Sequence, residues 1–302
     1  VMTCDENGGA SFQEPPRRGD EFGKRCACIG VRSCVLCRDP VLREACGLHQ
    51  VRHVPEVEVT TTWSWSGVEG SDLQLRGCEN GRTLTRGELP VPFTGFWLLE
   101  DVVDEREEDE LLREIGRWPW RPSQSGRQKQ DFGPRANFKK QRLKLGDARG
   151  LPQYAHVLLD RLRSRCVDLV DFEPAEFLTL NYSRELQSNH DLHVDDTWLW
   201  GDRIVGVSLL GAAVFSFFDP TSGTMVRVPL PRRSAYVMTG RARYDWQHGI
   251  FAEDIDESRV ALTYRELTPE LVATDLGREA LAMAKLVVTP AHVPEVPSEV
   301  AC

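Results

Sequence analysis

The second half of the chain is a succession of short apolar and β-branched runs, each broken by Gly, Pro or Asp. AEFLTLNY, RIVGVSLL, AAVFSFFD, TMVRVPL, SAYVMTG, YDWQHGI and RVALTYREL follow one another between Ala175 and Leu267. Their length, composition and punctuation predict strands. Upstream, VPFTGFWLLED from Val91 reads as a further strand. The acidic run from Asp104 to Glu110 suits the positive end of a helix that reaches Ile115. A second helix is expected from Pro152, because Tyr154, Leu158, Leu162, Cys166 and Leu169 form one apolar stripe. A third follows Thr268 and Pro269, with Val272, Leu276, Ala280 and Met283 turned inward, and Pro290 ends it. Two helices followed by six or more short strands predict an α+β fold with a jelly-roll (double-stranded β-helix) core and helices on one side.

The pattern divides the chain into five parts. Residues 1–25 are rich in Gly, Pro and charge and are expected to lack fixed structure. Residues 26–46 hold a cysteine cluster, 47–90 a connecting arm with β-prone pieces such as VEVTTTWSW, 91–268 the main domain, and 269–302 a C-terminal helix and tail. No apolar run has the length of a membrane span, and the first twenty residues lack a signal-peptide core. The chain therefore reads as intracellular, in cytoplasm and nucleus.

Nine cysteines would suit a disulfide framework if they were spread evenly, but four fall in CACIGVRSCVLC, residues 26 to 37. In a reducing compartment such clustering reads as metal binding. Cys26, Cys28, Cys34 and Cys37 offer four thiolates to a tetrahedral Zn2+, with Cys46 and His49 as substitute ligands and partner-bridging or redox thiols as alternatives. The net charge of −9 argues against nonspecific nucleic-acid binding. Between Arg121 and Lys144, however, eight Lys or Arg face the single acid Asp131. That basic stretch, interleaved with Phe132 and Phe138, suits nucleic acid, an acidic protein surface, or plain solvation.

Chemistry concentrates in HDLHVDDTWLWGDR, residues 190 to 203, which holds two histidines, four acids and two tryptophans. Alone it is either a metal site or a polar turn. On a strand, side chains two apart share a face, so His193 and Asp195 converge while Val194 turns away. His190, three residues earlier, is out of phase with His193. His248, on a later strand, supplies a third donor, and two histidines with one carboxylate form the facial triad of non-haem Fe(II) oxygenases. Eleven residues on, Arg259, Ala261, Thr263 and Arg265 line one face of a strand, with Val260, Leu262 and Tyr264 on the other. Two inward arginines are costly unless they meet anions, and the dicarboxylate 2-oxoglutarate would satisfy them.

These motifs, with SQSGRQKQDFGPRANFKKQRLK (123 to 144) and HVDDTWLWGDR (193 to 203), resemble the AlkB-type Fe(II)/2-oxoglutarate dioxygenases, and most of all the subfamily of the fourth animal AlkB homologue. The resemblance implies that His193, Asp195 and His248 bind iron, that Arg259 anchors 2-oxoglutarate, and that Arg265 and Tyr182 complete its pocket. The family asparagine two residues before that tyrosine is here Leu180, and Asn181, displaced by one, is the candidate for its 2-oxoglutarate contact; the family asparagine between the arginines is Ala261. Thr197 stands where nucleobase-repairing members often carry an acid. In the resembled family the basic stretch is a substrate-facing lid, which makes Lys139, Lys140, Arg142 and Lys144 candidate substrate contacts. Asp196 would orient a ligand or a substrate amine, and Trp198 is either a platform or core. The activity implied is oxidative N-demethylation that releases formaldehyde, succinate and CO2, on monomethyl-lysine of actin in actomyosin regulation, or on N6-methyladenine of nucleic acid. The contrasting reading is a zinc-bearing interaction protein whose oxygenase fold is vestigial.

Overall fold

The computed structural model describes residues 93–256 and 258–290, together with the backbone of five short strands nearer the N-terminus. The cysteine cluster at 26–37, with Cys46 and His49, lies outside the described residues. Two large sheets carry the molecule. The first runs β6 (Phe96–Leu99), β16 (Ser234–Met238), β13 (Trp200–Leu209), β18 (Ser258–Leu267), β11 (Pro174–Ser183), β8 (Gln128–Asn137) and β7 (Arg121–Pro122), with β9 (Arg142–Arg149) folded back on β8. The second runs β12 (His190–His193), β17 (Gln247–Ile250), β14 (Ala213–Asp219), β15 (Thr224–Leu230), β3 (Thr61–Trp65), β4 (Leu75–Glu79) and β5 (Arg82–Leu84). Within the sheets the pairing is antiparallel except where β3 joins β15 in parallel. A hairpin of β1 (Met2–Cys4) and β2 (Ala10–Phe12) and a short parallel pair of β10 (Leu151–Pro152) with β19 (Val287–Val288) stand apart.

Strand alternation sorts side chains into two cores. Between the sheets, Phe96, Leu98 and Ile204 meet Phe215, Phe217, Val226, Val228 and Ile250. On the outer face of the first sheet, Val205, Val207, Val260, Leu262 and Tyr264 pack against helices α1 (Glu105–Gly116) and α2 (Gln153–Arg165) through Leu112, Ile115, Leu158 and Leu162. The two faces read from the Arg259–Arg265 segment are therefore those of the folded strand.

The helices begin where their caps dictate. Asp104 caps α1 in a reciprocal capping box with Glu107. Pro152 precedes α2 rather than opening it, and the helix stops at Arg165. Cys166 and Leu169 stay buried, but in the turn beyond the helix. A short helix α3 (Gly240–Tyr244) leads into β17. The C-terminal helix departs most from the expected one: Thr268 caps α4 (Pro269–Val272) and Thr274 restarts the chain as α5 (Asp275–Ala284). The restart turns the stripe, so Gly277, Ala280 and Ala284 face inward and Leu276 is exposed. Gly277 lies so close to the Leu271 carbonyl that a Cβ there would come within 1.9 Å of it. Among the described residues no helix is long and apolar enough to cross a membrane.

Candidate active site

Antiparallel register brings the two histidines together: His193 at the end of β12 is the direct cross-strand partner of His248 on β17. Their ring centroids are 4.5 Å apart. Asp195, two residues beyond the end of β12, places Oδ2 3.3 Å from His248 Nε2. One donor atom from each of the three lies within 4.8 Å of the others. Two imidazoles and a carboxylate clustered on one side are the donor set of a facial Fe(II) site. His193 Nδ1 bonds the Asp191 carbonyl at 2.8 Å, which turns Nε2 toward the site. His190 stacks on His193 at 4.3 Å and stands beside the triad rather than in it. Arg265 bridges Glu176 at 2.7 Å and Asp195 at 3.0 Å. Burial works against the Asp195 charge, but Arg265 and the two histidines outweigh it and hold the carboxyl well below the usual range.

The β11–β18 ladder forms the next part of the site. Its cross-strand pairs are Glu176 with Arg265, Leu178 with Thr263, Leu180 with Ala261 and Tyr182 with Arg259. All eight face the triad side: Tyr182, Arg259, Ala261 and Thr263 line a narrow slot, Glu176 and Leu178 the cleft above it, and Leu180 and Arg265 both. Arg259 is 2% exposed and donates Nε to Ser208 Oγ at 2.8 Å, while its Nη1 is buried with no partner. Burial pushes the guanidinium below its ordinary range, and no carboxylate of the described residues pairs with it. A buried cation with an unused donor aimed into a slot fits a carboxylate group. Tyr182 packs against it, with Arg259 Cζ 5.4 Å from the ring centre. Tyr236, partly buried and with its phenol pushed up to about 12 by desolvation, closes the opposite wall.

Asn181 falls out of the site, because it alternates with Leu180 and Tyr182 and so faces away from the slot. Above the triad opens a cleft of about 570 Å³. Its basic lining is Arg121, Arg127, Lys129, Arg135 and Arg265, whereas Lys139, Lys140, Arg142 and Lys144 sit exposed around the tip of the β8–β9 hairpin. The expected substrate contacts are thus displaced by one strand length, since the chain climbs β8 out of the cleft before it turns. Phe132 is buried against Trp118 and Phe177, and of the two interleaved phenylalanines only Phe138 is exposed. Trp198 packs beside Phe138, while Trp200 takes the place in the cleft, with Arg265 Cζ 5.8 Å from its ring centre. Asp196 lines the cleft next to the triad.

No family model matches the chain. The mouse protein named alpha-ketoglutarate-dependent dioxygenase alkB homolog 4 is 34% identical over 86% of this chain and 94% of its own length. This chain belongs to the AlkB family. A Caenorhabditis elegans member, named a DNA N6-methyl adenine demethylase, is 33% identical over 80% of this chain and 86% of its own length. The solved structure of OsALKBH1 superposes with a TM-score of 0.43 at 15% identity, over 58% of this chain and all of that one.

As an AlkB-type dioxygenase the protein uses Fe(II) and 2-oxoglutarate, and the triad and the Arg259 slot have the donors that each requires. The two departures noted in sequence, Leu180 and Ala261, are one cross-strand pair, so a single spot of the slot has turned apolar. Sequence reading missed Ser208, Tyr236, Glu176 and Arg243. Only Tyr236 had a local signal: Gly206 interrupts β13, and a Cβ there would lie 2.2 Å from the Tyr236 ring.

Proposed function

We propose that this AlkB-family enzyme demethylates monomethyl-lysine in an acidic protein surface, with actin as the first substrate to test. The observation that carries this reading is the floor of the cleft. Beside the triad stand Glu176 and Asp196; Arg265 is shared between Glu176 and the ligand Asp195, and Asp196 makes no ion pair among the described residues, so a substrate amine arriving there meets its carboxylate. An ammonium group is favoured in such a place, and the basic residues higher in the cleft suit acidic neighbours of the lysine. His193, Asp195 and His248 would hold Fe(II), which when bound would supply the O2 chemistry that turns 2-oxoglutarate into succinate and CO2. Arg259 holds the far carboxylate of the co-substrate, Tyr182 and Tyr236 wall it off from water, and Arg265 keeps Asp195 charged and oriented. Oxidation of the N-methyl carbon gives a carbinolamine, whose C–N bond breaks to release formaldehyde and the free amine.

A second reading, N6-methyladenine in DNA, is favoured by Arg121, Arg127, Lys129 and Arg135 in the cleft, which suit phosphates, and by the activity named for the nematode relative. The test is formaldehyde release by iron-loaded protein from a monomethyl-lysine actin peptide, folded methylated actin and an N6-methyladenine oligonucleotide. Turnover of the lysine substrates is expected. Formaldehyde from the oligonucleotide alone replaces this reading with the second.

A further inference from the structure

Arg243, on α3, is the buried cation that the chemistry above leaves unused. Its side chain is fully enclosed, at 0% exposure. Among the described residues it makes no ion pair; its guanidinium instead donates to main-chain carbonyls of one loop, Nη1 to Asp195 at 3.0 Å and Nη2 to Asp196 at 3.4 Å and Trp200 at 3.3 Å. The loop between His193 and Trp200 has no strand partner; Trp200 N donates to the Asp196 carbonyl at 3.1 Å, whereas the Asp195 carbonyl has Arg243 as its donor. The loop also carries the Asp195 carboxylate.

Arg243 stands five residues before His248 along the chain. We propose that Arg243 is a positioning residue, a clamp that joins the segment bearing Asp195 to the segment bearing His248 and so fixes the geometry of the metal site before metal arrives. Asp195 and His248 lie on separate segments, and the β12–β17 pairing that holds these together ends at His193, two residues short of Asp195. A planar fork reaches three carbonyls at once; a lysine ammonium at the same place does not.

The experiment uses Mn(II), a spectroscopically visible substitute for Fe(II), bound to the full chain without turnover. Wild type, Arg243→Lys and Arg243→Met are titrated by electron paramagnetic resonance, and their melting temperatures are recorded with and without metal. We expect the Kd for Mn(II) to rise about 10- to 100-fold in both variants, and the metal-induced gain in melting temperature to shrink. Melting of the metal-free variants should stay within a few degrees of wild type. His193→Ala, which should lose Mn(II) binding altogether, tests the triad separately. An unchanged Kd overturns the clamp, as does an equal fall in melting temperature with and without metal. Failure of both variants to fold also overturns it, since Arg243 is then a folding residue.

Discussion

At the scale of single residues, the site turns on groups whose burial makes sense only with a partner. Arg259 is the clearest: an enclosed guanidinium with one donor on Ser208 and another aimed at nothing. A charge-assisted contact to a carboxylate in such a place is worth about 2–3 kcal/mol or more. Arg259→Ala should therefore raise the KM for 2-oxoglutarate by roughly a hundredfold or more while sparing kcat at saturating co-substrate. Succinate formation across a 2-oxoglutarate series measures both constants, and an unchanged KM would move the anchor to Arg265. This residue was legible in the sequence because alternation along RVALTYR fixes its direction without tertiary information. Asn181 entered the site only by resemblance to the family asparagine, and the same alternation turns it away from the slot. Glu176 and Ser208 left no trace, because an acid and a serine on strands look the same whether they face solvent or an arginine on the neighbouring strand.

At the scale of elements, local chemistry set the starts of helices better than their ends. Asp104 and Glu107 announce α1 through a capping box, with Asp104 N to Glu107 Oε2 at 2.9 Å and Glu107 N to Asp104 Oδ1 at 2.8 Å. The restart at Thr274 was hidden because it depends on Gly277 docking against Leu271, a contact that no periodicity contains. Glu107 also joins α1 to α2, since Arg161 pairs with it through both terminal guanidinium nitrogens, Nη1 and Nη2. That pair, then the Asp104 hydrogen bond, holds Glu107 down from 4.5 to about 2. A carboxyl with a folded pKa below its unfolded one stabilises the fold above about pH 4.5, and the gain fades as the pH falls toward 2. With solvent screening of this partly exposed pair allowed for, the gain is about 1–2 kcal/mol. Glu107→Gln should thus lower stability by that amount at pH 7, and the gap should narrow steadily between pH 4.5 and 2. Urea denaturation of both proteins at pH 7, 4 and 3 reads the gap. A constant difference would mean that the glutamine disturbs packing or capping rather than charge.

At the scale of the whole molecule, the basic stretch shows where reading a sequence stops. Summed along the chain it is one patch from Arg121 to Lys144; in space the β8–β9 hairpin divides it. Lys129 and Arg135 alternate along β8 with buried Gln130 and Phe132, and they face the cleft, whereas the four cations around the tip project into solvent. The two groups should act on an acidic protein substrate by different routes. A tip charge about 10 Å from its partner through water contributes near 0.4 kcal/mol, of which cellular salt leaves about a third. Neutralising Lys139, Lys140, Arg142 and Lys144 together should then cost about 0.6 kcal/mol, a two- to threefold loss in kcat/KM on folded actin that disappears in high salt. Cleft cations that touch acidic side chains directly contribute about 0.5–1 kcal/mol each. Lys129→Gln with Arg135→Gln should accordingly cost about five- to thirtyfold on folded actin and persist further into high salt. A short neutral methyl-lysine peptide should be spared by both variants, because it has no acids for either group to meet. If the peptide suffers as much as actin, the cleft cations shape the site rather than read the surface around the lysine. If only turnover of an N6-methyladenine oligonucleotide falls, they are phosphate contacts.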